Sequence, residues 1–300
     1  MIYDVIVIGG SYAGMAASLQ LLRARRSVLV IDAGQRRNRF AGASHGFLGQ
    51  DGTDAAAIAL QARQQLEVYP TLTWIDSEAV SLTGARDRFV VATLNGQKHQ
   101  GRRILFATGV ADGLPEIPGL ADRWGRSIFH CPYCHGYELD QGHIGVIGTG
   151  PSSAHQAEIL TEWGTITLLT NDALTLDPTT RQALERRGVT IEGAPIAEVS
   201  GAADVRLTDG RVLSFAGLFI ASHVTPASAL PAQAGCRIVE GPMGEMIGVN
   251  AEKQTSVPGI YACGDVAMMP HSVSLAVGDG AMTGTQLHRS LVWPGDDDAA

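Results

Sequence analysis

The sequence predicts an α/β protein carrying two Rossmann-like dinucleotide-binding folds. Three observations carry this reading. A glycine-rich turn, Gly9-Gly10-Ser11-Tyr12-Ala13-Gly14, follows a short apolar strand at residues 3–8 and opens a helix over 12–25. The next strand, 28–31, ends on an acid, Asp32. The same order returns later, where Ile144-Gly-Val-Ile-Gly148-Thr-Gly150-Pro-Ser-Ser153 opens a helix to about Trp163 and leads into the strand 166–169. Glycines let backbone amides approach a pyrophosphate at a helix N-terminus, and the acid can hold a ribose hydroxyl. Gly9, Gly10, Gly14 and Asp32 are therefore candidate cofactor-binding residues. Ser11 stands where the middle glycine of G-x-G-x-x-G is expected, and it is small enough to keep the site.

Between these folds the elements follow from pattern. Residues 33–53 read as a loop, and so long a loop is usually functional. It holds the densest basic cluster, Arg36, Arg37 and Arg39, of which Arg39 is taken as a cofactor contact. Residues 54–68 read as a helix, and 72–108 as alternating strands closing on Ala107-Thr108-Gly109. Pro115 and Pro118 mark a linker. Residues 178–187 read as helix and 189–221 as short strands, with a second linker near Glu240-Gly-Pro-Met-Gly-Glu245. A strand at 259–263 runs into Gly264-Asp265, and a helix from about Ser272 to Leu291 is rich enough in Ala and Gly for something to pack against its backbone. The last residues, Gly-Asp-Asp-Asp-Ala-Ala, read as a frayed tail.

Composition narrows the function. The chain has 300 residues, 45% of them hydrophobic, and a formal charge of −8. The charge argues against a nucleic-acid surface. No apolar run is long enough to span a bilayer. The chain enters a strand at once, with no leader pattern. It reads as cytoplasmic, without membrane or nucleic-acid partners.

The chemistry centres on His130-Cys131-Pro132-Tyr133-Cys134-His135-Gly136-Tyr137-Glu138. In a reducing compartment a C-x-x-C is redox-active or metal-binding. Pro132 suits the first position of a helix, which puts Cys131 at the N-cap, where orphan amides favour a thiolate. His135 and Glu138 share one-face helical spacing and read as proton carrier and orienter. Zinc needs a second ligand pair. Cys236 and Cys263 lie alone and far along the chain and read as small core residues, so redox is favoured and no metal is expected. His271 precedes the last helix and reads either as a catalytic neighbour of the cofactor or as a capping or surface histidine. Gly148 and Gly150 either bind a nucleotide or only preserve the fold.

These motifs, in this order, resemble the low-molecular-weight thioredoxin reductases over nearly the whole chain. The resemblance implies an FAD/NAD(P)-binding fold with the second domain inserted in the first. Residues 1–114 and 245–300 would bind FAD, and 115–244 would form the inserted NAD(P)-binding-like domain with the dithiol. It implies that Val80 meets the adenine, that Thr108 and Gly109 form the closing turn, and that Gly264 and Asp265 meet the ribityl or phosphate part. It implies that Cys134 faces the flavin, that Cys131 exchanges with substrate, and that the enzyme is a homodimer. Two departures matter. His135 stands where the family carries an aspartate. Thr170-Asn171-Asp172 stands where NADPH-using members carry a His-Arg-Arg group, so NAD(P)H use is left open. C-P-Y-C-H-G-Y-E together with Pro270-His271 looks more like the branch containing flavin-dependent dithiol oxidases. The expected function is an FAD-dependent thiol–disulfide oxidoreductase, acting on a small dithiol with oxygen as acceptor. The alternatives are an NAD(P)H-dependent reductase of thioredoxin or a thioredoxin-like protein, and a non-catalytic flavin-binding redox sensor.

Overall fold

The computed structural model describes residues 1–294; residues 295–300, the tail expected to fray, lie outside the described residues. The chain divides into two compact units. The first comprises Met1–Arg39, Phe47–Ala111 and Val224–Ala300, and the second Phe40–Gly46 and Asp112–His223.

In the first unit, strands Leu72–Asp76, Val28–Asp32, Ile2–Ile8 and Lys98–Phe106 lie side by side in parallel. Val5, Ile6, Val7, Val28, Leu29 and Val30 are fully buried, as expected of a parallel sheet covered on both faces. Lys98–Phe106 changes partner along its length. Its second half pairs in parallel with Ile260–Ala262, and its first half pairs antiparallel with Phe89–Thr93, which pairs with Ala79–Thr83. The helix Tyr12–Arg23 stops short of the predicted residue 25, because Arg25 takes a left-handed φ of 59°. The last helix, Val273–Val292, packs on it through its glycines. A Cβ at Gly284 would lie 2.5 Å from the Ala17 carbonyl oxygen, so close approach explains the Gly-rich face.

In the second unit, Thr190–Glu192, Thr165–Leu169, His143–Ile147, Gly217–Ile220 and Ile128–Phe129 form a five-stranded parallel sheet. The helix Ser152–Leu160 covers one face and ends before the predicted Trp163. Strands Ile196–Ser200, Asp204–Leu207 and Val212–Ser214 form a small antiparallel sheet over the other. Among the described residues, no helix is long and apolar enough to cross a membrane.

Two sequence expectations change. The stretch Glu240–Glu245 is not a linker. It is the turn of an antiparallel hairpin, Ile238–Gly241 with Gly244–Ile247, whose Pro and Gly make a tight turn that mimics linker composition. The return to the first unit therefore falls at Val224 rather than at 245. Leu230, Cys236 and Ile247 pack with Ile6, Phe106 and Ile260 of that unit's core.

Candidate functional site

The first glycine turn is held by packing. Gly9 takes φ 105°, and a Cβ there would overlap the Ala107 carbonyl. One at Gly14 would overlap the carbonyl of Gly9, and one at Gly10 would lie 2.5 Å from the Trp74 ring. The Gly10 amide donates to Asp32 Oδ1 at 3.1 Å, which fixes the carboxylate at the strand end. Ser11 is the N-cap of the helix, but its side chain makes no capping bond, and the first turn carries no acid. The helix N-terminus therefore keeps amide donors suited to an anion. Thr108 Oγ1, Asn38 Oδ1 and Arg36 Nε are buried with no hydrogen-bond partner, and Gly109 turns the chain at φ 68°. Unmet polar atoms and a free helix end in this unit fit a large phosphate-bearing cofactor such as FAD. Val80 is 42% exposed on its strand.

In the basic loop, Arg37 and Arg39 take different protein partners. Arg39 is exposed and donates to the carbonyl of Arg36 at 2.8 Å. Arg37 instead reaches Asp265, at 3.1 Å, and His271 Nδ1, at 2.8 Å. His271 is buried, and the cap of the last helix is Ser272, which accepts from the Leu275 amide. The capping and surface readings of His271 are thus set aside. Gly264, at φ 72°, donates its amide to Asp279 Oδ2 at 2.9 Å, and Asp279 Oδ1 meets Lys253 Nζ at 2.5 Å. Sequence reasoning missed Arg37, Asp279 and Lys253. Only the Arg cluster left a signal.

In the second unit, Cys131 and Cys134 form a disulfide, with Cα atoms 5.3 Å apart. Cys131 is the N-cap of the four-residue helix Pro132–His135, with Pro132 at its start, as the spacing predicts. His135 lies one turn on from Cys131, the spacing of neighbours on a helix face. Gly136 must be glycine: a Cβ would lie 2.7 Å from both the Pro132 carbonyl oxygen and the Trp163 ring. Tyr133, between the cysteines, is 71% exposed and meets Trp163 edge-on at 5.2 Å.

His135 stacks on Phe129, with ring centroids 4.3 Å apart. Burial pushes its pKa down to about 4, the Glu138 charge opposing and His45 adding to the drop. The ordinary histidine value of 6.5 is not kept, and at pH 7 the ring is neutral. Glu138 does not share a helix with it, because the helix ends at His135 and Tyr137–Leu139 is a separate 3-10 turn. The Glu138 carboxylate lies 3.5 Å from His45 Nδ1 instead. Between its folded value of about 4 and its unfolded 6.5, the native state binds fewer protons than the unfolded chain. Acid therefore favours unfolding across that window, by no more than ~3 kcal/mol at its lower end. We expect His135→Leu to lose this share of acid sensitivity when urea midpoints at pH 7 and pH 4.5 are compared. Equal sensitivity in both proteins would contradict the burial argument.

The second glycine turn is largely self-satisfied. A Cβ at Gly148 would lie 2.8 Å from the carbonyl oxygens of Leu169 and Thr170, so its glycine is required by packing. The Thr149 amide donates to Ser153 Oγ at 3.0 Å, and Thr149 Oγ1 to the Ala221 carbonyl at 2.8 Å. Gly150 faces open space. After the strand Thr165–Leu169, Asn171 Oδ1 accepts from the Ile196 amide, and Asp172 is exposed. Arg187 pairs with Glu158 at 2.9 Å and Arg181 with Glu185 at 3.9 Å. These groups do not fit a nucleotide 2′-phosphate. Cys236 and Cys263 are free and buried, and burial beside Asp279 pushes the Cys263 thiol far up.

Residues 3–280 match the family model described as pyridine nucleotide-disulphide oxidoreductase. The chain is 32% identical to thioredoxin reductase tcpT of Claviceps purpurea, over 97% of this chain and 95% of that protein. It is 29% identical to thioredoxin reductase sirT of Leptosphaeria maculans, over 95% and 93%. Among solved structures, an oxidoreductase from Agrobacterium tumefaciens superposes with a TM-score of 0.95 at 49% identity, over 98% of this chain and 100% of that one.

Proposed function

Because the chain belongs to the pyridine nucleotide-disulphide oxidoreductase family, as a thioredoxin reductase-like disulfide oxidoreductase, we propose that it is an FAD-dependent dithiol oxidase acting on a small dithiol. The observation that carries this reading is the pairing of a reactive disulfide at Cys131–Cys134 with a second glycine turn that does not fit a 2′-phosphate. Thr170-Asn171-Asp172 offers no cation, and Asp172 would repel a phosphate dianion.

FAD would be held by the Gly9–Gly14 turn, Asp32, Thr108, Gly109, Gly264 and Asp265, with Val80 beside the adenine. When bound it supplies two-electron acceptance, which returns the dithiol to disulfide and leaves the electrons to molecular oxygen. The residues of the chain do the rest. A substrate thiolate attacks Cys131 Sγ, the Cys131–Cys134 bond breaks, and Cys134 leaves as a thiolate. The second substrate thiolate then attacks the substrate sulfur of the mixed disulfide. Cys131 leaves, and the substrate departs as a disulfide. Two thiols are oxidised and one disulfide is reduced. His135 accepts a proton at its free ring nitrogen. A thiolate forming one turn away raises its proton affinity at that moment, so the ring binds a proton when the sulfur gives one up.

The names of the relatives favour a second reading, reduction of a thioredoxin-like protein by NAD(P)H. Anaerobic mixing separates the two. Dithiothreitol is expected to bleach the flavin absorbance of the FAD-loaded protein, air to restore it, and NADPH or NADH to leave it unchanged within the same time. Rapid bleaching by either nucleotide with none by the dithiol would overturn the oxidase reading in favour of the reductase.

A further inference from the structure

A cavity of about 240 Å³ lies within the first unit. Its polar wall includes Arg237, Asn250, Gln254, Thr255 and Ser256, and its apolar wall Val249 and Pro258. None of these residues is among those assigned to the cofactor or the dithiol. The wall is built locally. The chain leaves the strand Gly244–Ile247, turns through Lys253 at a left-handed φ of 66°, and returns along Gln254–Ser256. Asn250 pins this turn: its Oδ1 accepts from the Glu252 amide at 3.1 Å and from the Gln254 amide at 2.8 Å, as Asx side chains do. The Arg237 amide donates to Ser256 Oγ at 2.9 Å, which brings Arg237 alongside.

The hydroxyls of this wall are committed. Thr255 Oγ1 accepts from Cys236 Sγ at 3.5 Å and from the Val257 amide at 3.1 Å, and Ser256 Oγ donates to the Gly235 carbonyl at 3.3 Å. The nitrogen donors are not. Gln254 is 8% exposed, and its Nε2 is buried with no hydrogen-bond partner. A buried N–H without an acceptor is costly unless something else supplies one. Asn250 has spent its oxygen on the backbone, which leaves Nδ2 as its donor. Arg237 is exposed and makes no ion pair among the described residues. No Asp or Glu lines the cavity, and Glu252, the nearest acid in sequence, lies outside its wall. A chain of formal charge −8 thus sets one cation and two amide donors around a space free of carboxylates.

We propose that this cavity is a binding site for a small organic anion, whose carboxylate or phosphate group meets Gln254 Nε2, Asn250 Nδ2 and the Arg237 guanidinium while its apolar body lies against Val249 and Pro258. An arginine fork suits either head group. A single water needs only about 15 Å³ of such space, so the cavity holds more than a bare oxyanion. The site is independent of the oxidase reading, since no residue in it takes part in the dithiol chemistry.

The test is calorimetric titration of the FAD-loaded, full-length protein with phenyl phosphate and, separately, with benzoate, in chloride buffer at constant ionic strength. Saturable binding of at least one probe is expected, and the tighter of the two identifies the head group. Gln254→Met keeps the length of the side chain and removes the unmet N–H. Without a probe its urea midpoint should equal or exceed that of wild type, because no internal hydrogen bond is lost. Its affinity for the probe should fall at least ~10-fold, the worth of one hydrogen bond to a charged group. Arg237→Gln, at an exposed position, should unfold as wild type does and lose affinity by a similar factor. Saturable binding of neither probe overturns the proposal. Binding that both variants keep also overturns it, because the anion then sits elsewhere on the protein. So does a Gln254→Met protein less stable than wild type without a probe, which would show that the amide is already met inside the fold. None of these readings depends on turnover, so a protein that oxidises no dithiol would refute the proposed function and leave this inference to be decided by the titration.

Discussion

Cys134→Ser is expected to lower dithiol turnover at least ~100-fold, about 2.7 kcal/mol in barrier height, while leaving a Cys131 thiol that can be captured but not released. Cys131 sits at the N-cap of its helix and Cys134 inside it. The N-cap position favours a thiolate, the form that attacks. Offered an aromatic disulfide such as dithiobis(nitrobenzoate), the Cys134→Ser protein should form one stable mixed disulfide on Cys131 per chain and release one thiolate. Without Cys134 no internal thiol resolves the adduct. Cys131→Ser should form the adduct at Cys134 far more slowly. Because the bridge closes a loop with a sequence separation of only 3, its loss constrains the unfolded chain little, and neither variant should melt much below the reduced wild type. Adducts forming at equal rates in the two variants would remove the division of labour between the cysteines.

What could be read before the structure depended on how local its cause was. The turn Gly9–Gly14 and the position of Cys131 were legible because both follow from chain-local geometry: a helix entry crowded by its own strand, and a proline that fits a first turn. The hairpin at Gly241–Gly244 was misread for the same reason in reverse, since a tight turn and a linker share Pro and Gly. Where cause is tertiary, spacing was silent. Three arginines stood in one loop, and only packing selected Arg37 over Arg39 for Asp265. His135 was recognised by its place after Cys134, but the burial that lowers its pKa, with Phe129 stacked on the ring, is a tertiary effect that no spacing shows. Glu138 was assigned to the histidine three residues before it, whose protonated form its charge favours, but no spacing showed that the loop also brings it His45. A helical acid such as Asp279 reads as a surface residue until the strand end and the last helix are seen together.

That acid is the site of the largest expected loss of stability. Asp279 is 5% exposed and Lys253 9% exposed, and the carboxylate serves both Lys253 Nζ and the Gly264 amide. Asp279→Ala strands a buried cation and a buried N–H together, so a cost of about 3–5 kcal/mol is expected. Asp279→Asn keeps an acceptor for Gly264 and removes only the charge, so it should cost less. Replacing both partners, Lys253→Met with Asp279→Leu, removes the stranded charge and should recover most of the loss, because a buried ion pair contributes little beyond what apolar groups of the same volume supply. Urea unfolding of the four proteins gives the order, and hydrogen exchange at the Gly264 amide locates the effect. The turn that Asp279 fixes also carries Asp265, whose carboxylate meets Arg37 at 3.1 Å. FAD retention should therefore fall in Asp279→Ala and survive better in Asp279→Asn, which still holds Gly264. A single Asp279→Ala loss below ~1 kcal/mol, within the range of an ordinary exposed pair, would show that the buried pair is not what holds this turn. A double variant no more stable than the single would trace the loss to packing rather than to charge.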